Sequence, residues 1–198
     1  MSTSTIAFLI ILIVIFFYVV SIYNKLVELK NHYKNGFAQI EVQLKRRYDL
    51  IPNLVETAKA YLAHEKGTLE AIINARNGAS NVLKNATGNL NNPELMQQLS
   101  QAENMLSNAL GKLNVVVEAY PDLKTNSTMH QLMEELTSTE NKVSFARQGF
   151  NDFVTEYNVY RQSFPPIFFA HWFGHSTDAQ LLTFEDSSTI QSAPSVAF

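Results

Sequence analysis

A chain of 198 residues with 46% hydrophobic and 17% charged content has room for one domain and a small addition. Its 15 Lys and Arg against 18 Asp and Glu leave a net charge of −3, which argues against a general binder of nucleic acid or other polyanions. The absence of cysteine excludes disulfides, thiolate metal sites, Fe–S clusters and cysteine nucleophiles, and only 7 Gly and 6 Pro exclude collagen-like or Pro/Gly-rich chains and favour long helices.

Residues 1–5 carry no charged side chain and form a short leader to an apolar run. From Ile6 to Tyr23 only Ser21 interrupts the apolar character. Eighteen helical residues extend about 27 Å at ~1.5 Å each, a short but adequate span for a hydrocarbon core about 30 Å thick. A cleaved signal peptide would need a basic start and a small-x-small site after the run. Neither is present, so residues 6–23 are expected to be an uncleaved transmembrane helix. No Lys or Arg precedes the span, whereas Lys25, Lys30, Lys34, Lys45, Arg46 and Arg47 follow it against only Glu28 and Glu41. That bias places the C-terminal side in the cytoplasm and the N-terminus across the membrane.

Residues 24–164 carry helical periodicity. The first stripe is Leu26, Leu29, Tyr33, Phe37, Ile40, Leu44, Tyr48 and Ile51, continuing in phase through Val55, Ala58, Leu62, Glu65, Leu69, Ile72, Arg76, Ala79 and Leu83. Pro52 lies within it. Either the chain turns near Asp49, with Pro52 in the first turn of a new helix, or one long helix is kinked. The unbroken phase favours the kink. The Gly- and Asn-rich stretch 78–92 holds the next turn.

Asn92-Pro93-Glu94 reads as the start of another helix, with Asn92 as its N-cap. Its stripe (Leu95, Leu99, Ala102, Leu106, Ala109, Leu113, Val116, Tyr120) alternates steps of four and three, as in a coiled-coil seam. Pro121 ends it. A last stripe runs Leu132, Leu136, Thr139, Val143, Ala146, Phe150, Phe153, Tyr157, Tyr160, Phe164, stopped by Pro165-Pro166. The expected fold is all-α: an N-terminal transmembrane helix followed by an elongated up-and-down antiparallel bundle of three or four long helices.

Residues 165–184 form a separate apolar segment containing Trp172 and Phe173. Packing across the bundle end, contact with the membrane interface and contact with a partner all remain open for it. Residues 185–198 are expected to be a disordered tail.

Catalytic and metal chemistry find little support. A di-metal carboxylate bundle needs paired Glu-x-x-His motifs, and none is present. His171 and His175 are four apart but have no evident third ligand. No phosphate loop or nucleophile elbow occurs, and no cofactor or metal is expected. Glu65 and Arg76 fall on the predicted buried stripe, so each needs a partner from another helix, with Glu118, Glu140 and Arg147 as candidates.

Several ordered segments carry a resemblance to a known family. Gln43-Leu44-Lys45-Arg46-Arg47-Tyr48-Asp49-Leu50-Ile51-Pro52-Asn53-Leu54-Val55-Glu56-Thr57 resembles the most characteristic motif of the LemA family. Glu118-Ala119-Tyr120-Pro121-Asp122-Leu123-Lys124 and Thr139-Glu140-Asn141-Lys142 resemble its second and third. Ala146-Arg147-Gln148, Phe150-Asn151-Asp152, Tyr157-Asn158 and Phe164-Pro165 resemble the remainder, and the family's frequent Gly-Phe is Gly174-His175 here. The resemblance runs from about residue 6 to residue 184. It implies a bacterial single-pass protein of the cytoplasmic membrane, a helical bundle and no established enzymatic activity. Relatives of that family are associated with membrane organisation, magnetosome formation included, and with neighbouring membrane metalloproteases. The polar motif residues Arg46, Arg47, Asp49, Asn53, Glu56, Glu140, Asn141, Arg147, Asn151 and Asp152 are candidates for an interhelical network or an assembly surface. A self-assembling scaffold on the lipid bilayer is the expected function, an adaptor for a membrane protease or other envelope protein the alternative, and a metal-binding enzyme a third.

Overall fold

The computed structural model describes residues 3–184, and all regular structure among them is helical. Six helices follow one another: α1 (Thr3–Lys59), α2 (Lys66–Thr87), α3 (Pro93–Ala119), α4 (Pro121–Lys124), α5 (Ser127–Gln162) and α6 (Pro166–Ala170). The tail expected after residue 184 lies outside the described residues.

The 57 residues of α1 make a rod about 86 Å long at ~1.5 Å per residue. Its first part is exposed and apolar, and it is the one described helix long and apolar enough to cross a membrane. No break separates that part from the bundle. From Ile22 onward one face is buried, and every residue of the expected first stripe up to Ala58 lies on it.

Helix α5 runs antiparallel along α1 and is its main partner. At 36 residues it is about 54 Å long, close to the length of α1 beyond residue 22. The close approach is fixed at Gly36, where an added Cβ would lie 3.0 Å from Phe153 Cδ2 and 3.2 Å from the Cα of Phe150. The shorter α2 and α3 form a hairpin that covers the membrane-distal part of this pair, α2 lying on α1. Asn92 caps α3 as expected, its side chain accepting from the Glu94 and Leu95 amides, and Asn126 caps α5 through the Met129 amide. The four long helices therefore run up, down, up and down.

One boundary differs from the sequence reading. As the unbroken phase favoured, the chain does not turn near Asp49 and α1 passes through Pro52, but a reversal the sequence did not reveal comes at residues 60–65, which contain no glycine or proline. The stripe crosses this turn in phase because both helices face one core. Glu65 stands at the N-cap position of α2, half-buried and accepting from the Thr68 hydroxyl at 3.4 Å, so it needs no partner from another helix. The second turn falls within the expected stretch 78–92, at residues 88–92, with α2 extending to Thr87.

The hairpin does not reach the membrane-proximal end of α1 and α5, where Ile22, Leu26 and Leu29 need cover. The C-terminal segment supplies it. Helix α6 packs on both α1 and α5. After it Gly174 adopts φ +75°, and the His175 amide donates back to the Ala170 carbonyl at 2.8 Å. This helix-ending turn requires a residue tolerant of the left-handed region. It sends residues 175–184 back along α5, with Ala179 and Leu182 buried in the common core.

Candidate functional site

The residues singled out from sequence divide into three places. At mid-bundle, Arg47 lies inside, 3% exposed, with its Nη1 3.3 Å from Glu103 of α3. Its Nη2 donates to the Ser107 hydroxyl at 3.0 Å and lies 3.8 Å from Glu140 of α5. The Tyr48 hydroxyl donates to the other oxygen of Glu103, which is 1% exposed. One cation thus ties three helices together. Burial pushes the Glu103 carboxyl above its ordinary value, against the pull of Tyr48 and Arg47, and burial together with the facing Glu103 drives the Tyr48 hydroxyl upward, keeping it a donor.

Glu103 was not legible as a core residue. Two series satisfy the spacing on α3. The expected one ran through Ala102, Ala109 and Val116, which are half-buried; the buried face is Met96, Leu99, Glu103, Leu106, Leu110 and Leu113. Both share Leu99, Leu106 and Leu113. On α5 the same small rotation brings Arg147 and Val154 inside and leaves Phe153 exposed, and Phe164 lies beyond the helix end, exposed.

The second place is around Pro52. Lacking an N–H, Pro52 leaves the Tyr48 carbonyl without its helical donor. Arg76 of α2 supplies one, Nε donating to that oxygen at 3.0 Å, and its guanidinium lies 3.9 Å from Asp49. Arg76 therefore answers a backbone acceptor and the Asp49 carboxylate, both on α1, and not Glu118 or Glu140, the partners the sequence had suggested. Arg76→Ala is expected to cost about 1–3 kcal/mol by stranding the carbonyl. Pro52→Ala restores the helical donor, so the same Arg76 substitution should cost measurably less in that background. A double-mutant cycle by urea unfolding checks this.

The third place is the seam between α5 and the C-terminal segment. The Asn158 side chain donates to the Ala179 carbonyl and accepts from the Ala179 amide, both at 2.9 Å. Asn151 repeats the pattern at Leu182, at 3.0 and 2.9 Å. Seven helical residues advance about 10.5 Å, and three extended residues about 10 Å, so the two side chains match the backbone they read. Below them Arg161 and Gln162 bind Asp178. Burial opposes that carboxylate's charge, but these hydrogen bonds outweigh it and hold its pKa below the ordinary value. His175 is buried with Nδ1 3.0 Å from the Tyr157 hydroxyl, and burial lowers its pKa. Above them Arg147 lies over the Phe184 ring at 4.4 Å. Asn158 had no signal beyond the motif and Asp178 had none, because the groups they bind lie roughly twenty residues away along the chain.

The remaining candidates sit apart. Arg46 pairs with Glu135 at 3.7 Å on the surface, Glu56 with Lys59 at 3.0 Å, and Glu118 with Lys124. Asn53 and Asp152 are exposed, the Asn53 carbonyl accepting from Thr57 at 2.9 Å. His171 is exposed while His175 is buried, so the two do not share a face. Among the described residues no three His, Asp or Glu side chains gather.

On the outer face, α1 and α5 border an open groove of about 1110 Å³. Ala38, Val42, Met133 and Phe145 line it beside Asn141, with Val42 61% and Phe145 80% exposed. At the membrane-proximal end, Trp172 is exposed and Phe173 meets Tyr23 edge-on at 5.2 Å.

A family model described as the LemA family matches residues 36–198. The match takes in the tail after residue 184, which the motif resemblance had left out, and begins beyond the apolar span. Protein LemA of Metamycoplasma hominis is 28% identical over 154 residues, covering 77% of this chain and 66% of that protein. Magnetosome protein MamQ of Magnetospirillum gryphiswaldense is 26% identical over 152 residues, covering 69% and 56%. Magnetosome protein MamQ 2 of Paramagnetospirillum magneticum is 25% identical over the same length, with the same coverage. The chain thus spans between about half and two thirds of these relatives' length.

Proposed function

The chain belongs to the LemA family, and from that premise we propose that it is a membrane-anchored, non-enzymatic scaffold acting through lateral contact between copies of itself. The observation that carries this reading is the α1–α5 groove. Val42 and Phe145 face solvent there, on a shaft formed by α1 and α5. They stand at matching height, since Phe37 meets Phe150 and Arg46 meets Glu135 on either side. Copies held in one bilayer share an axis along its normal, so surfaces at equal height are those that meet.

Support for anchoring comes from the exposed apolar start of α1. The basic residues that follow it favour a cytoplasmic bundle and an outer N-terminus in a bacterial cytoplasmic membrane. The relatives named LemA and magnetosome protein do not bear enzyme names, which supports a role without catalysis.

The full-length protein in mild detergent and in nanodiscs should form an assembly larger than a monomer by light scattering. Phe145→Glu should dissolve it, removing about 2 kcal/mol or more per contact, while circular dichroism stays helical. A monomer in every environment overturns the proposal. Crosslinks in native membranes to a heterologous protein such as a protease, without self-crosslinks, assign an adaptor role instead.

A further inference from the structure

We propose that the foot of the bundle, α6 and the turn around it, is itself embedded in the bilayer face and completes the membrane span of α1. This rests on the anchoring of α1 proposed above. The argument begins with a length deficit. Residues 6–18 are exposed all round, but Val19 is half-buried and Ile22 is 2% exposed, because the foot is already packed there. Phe173 meets Tyr23 edge-on at 5.2 Å. The freestanding part of α1 is therefore 13 residues, about 20 Å, against a hydrocarbon core of about 30 Å. Bringing the whole apolar run to Tyr23 into the core carries the foot in with it, by about 8 Å.

The foot has the surface for that place. Phe164 is 80%, Ile167 50%, Phe168 65% and Trp172 80% exposed, all outside the core and all at this end. In water such a cluster is a liability; at depths of about 5–10 Å it is the usual apolar face of an interfacial element. No carboxylate occurs between Glu156 and Asp178, and Asp178 is bound by Arg161 and Gln162. Lys25, one turn above Ile22, stands at headgroup height with Glu28 3.1 Å away. An aromatic ring with a cation just above it is the arrangement that membrane–water interfaces select.

Trp172 is the only tryptophan in the chain, so it reports on the foot directly. The full-length protein is reconstituted into phosphatidylcholine–phosphatidylglycerol vesicles brominated either high on the acyl chain or near its end. The expected result is a several-fold loss of emission with high bromination, a smaller loss with deep bromination, and weak quenching by aqueous iodide. Strong iodide quenching without bromolipid quenching overturns the proposal, as does protection from both, which means protein covers the foot. Ile167→Asp with Phe168→Asp should return Trp172 to iodide while the helical signal is kept. Protein that fails to float with the vesicles rejects the anchoring itself, whereas floating protein with a water-exposed Trp172 rejects only the embedded foot.

Discussion

Arg47→Ala is expected to lower the stability of the bundle by about 3–5 kcal/mol, because it leaves the buried Glu103 carboxylate without its cation. Arg46→Ala, one residue earlier, removes a surface pair with Glu135 and should cost under about 1 kcal/mol. Urea unfolding of the two variants, followed by helical circular dichroism, separates the readings. Equal midpoints would show that the network does not hold the helices. Replacing the whole cluster, Arg47→Met with Glu103→Leu and Tyr48→Phe, should recover most of the loss, since no charge is then stranded. The network's role is thus to fix the register of α1 against α3 and α5 more than to add net stability.

The same site gives a pH signature. Burial raises the folded-state pKa of Glu103 above its ordinary 4.5, so the folded protein keeps a proton that the unfolded chain has released. Between 4.5 and the raised value, stability therefore falls as pH increases. Glu103→Gln should flatten this part of the profile relative to the parent protein. An unchanged difference across that range would mean Glu103 titrates as it does in water.

Asn151→Ala combined with Asn158→Ala should release the C-terminal segment. Four hydrogen bonds are lost, at about 1 kcal/mol each, roughly 4 kcal/mol in all. The loss is local, since the freed amides at Ala179 and Leu182 can turn to water as the segment lifts. Hydrogen exchange at those two amides should accelerate by about two to three orders of magnitude, while α1 and α5 keep their protection. Proteolysis between residues 175 and 184 should appear in parallel. Unchanged exchange at Ala179 and Leu182 would show that Leu182 burial alone docks the segment.

Long amphipathic stripes were readable because they are redundant. Along α1 ten apolar positions from Leu26 to Ala58 repeat at helical spacing, and all ten are buried. The α3 seam was readable only to within one neighbouring row. Leu99, Leu106 and Leu113 belong to both candidate faces, and the flanking positions are Ala102 and Ala109 on one side, Glu103 and Leu110 on the other. Apolarity favours the first set locally. Arg47, 56 positions away, makes the second set correct, because a buried guanidinium needs a carboxylate more than the core needs two alanines. The turn at residues 60–65 escaped notice for a related reason: with no glycine or proline there, periodicity carries straight through it.

The candidate site followed the same division. Motif residues Arg47, Glu140, Arg147 and Asn151 do meet other parts of the chain inside or beside the core. Arg46 reaches α5 only at the surface, through Glu135, and Asn53, Glu56, Glu118 and Asp152 are exposed, although their side chains are chemically similar.

From the residues alone came the family resemblance, the apolar span, the all-helical class and the face that α1 turns inward, because each is a local or periodic property of the chain. Tertiary packing decided the rest: that Arg76 serves a carbonyl freed by Pro52, that Glu103 is interior, and that an extended segment is read by two asparagines along α5. Each of those outcomes depends on a donor and an acceptor far apart in sequence, and the desolvation cost of leaving either one alone is what selects the pairing.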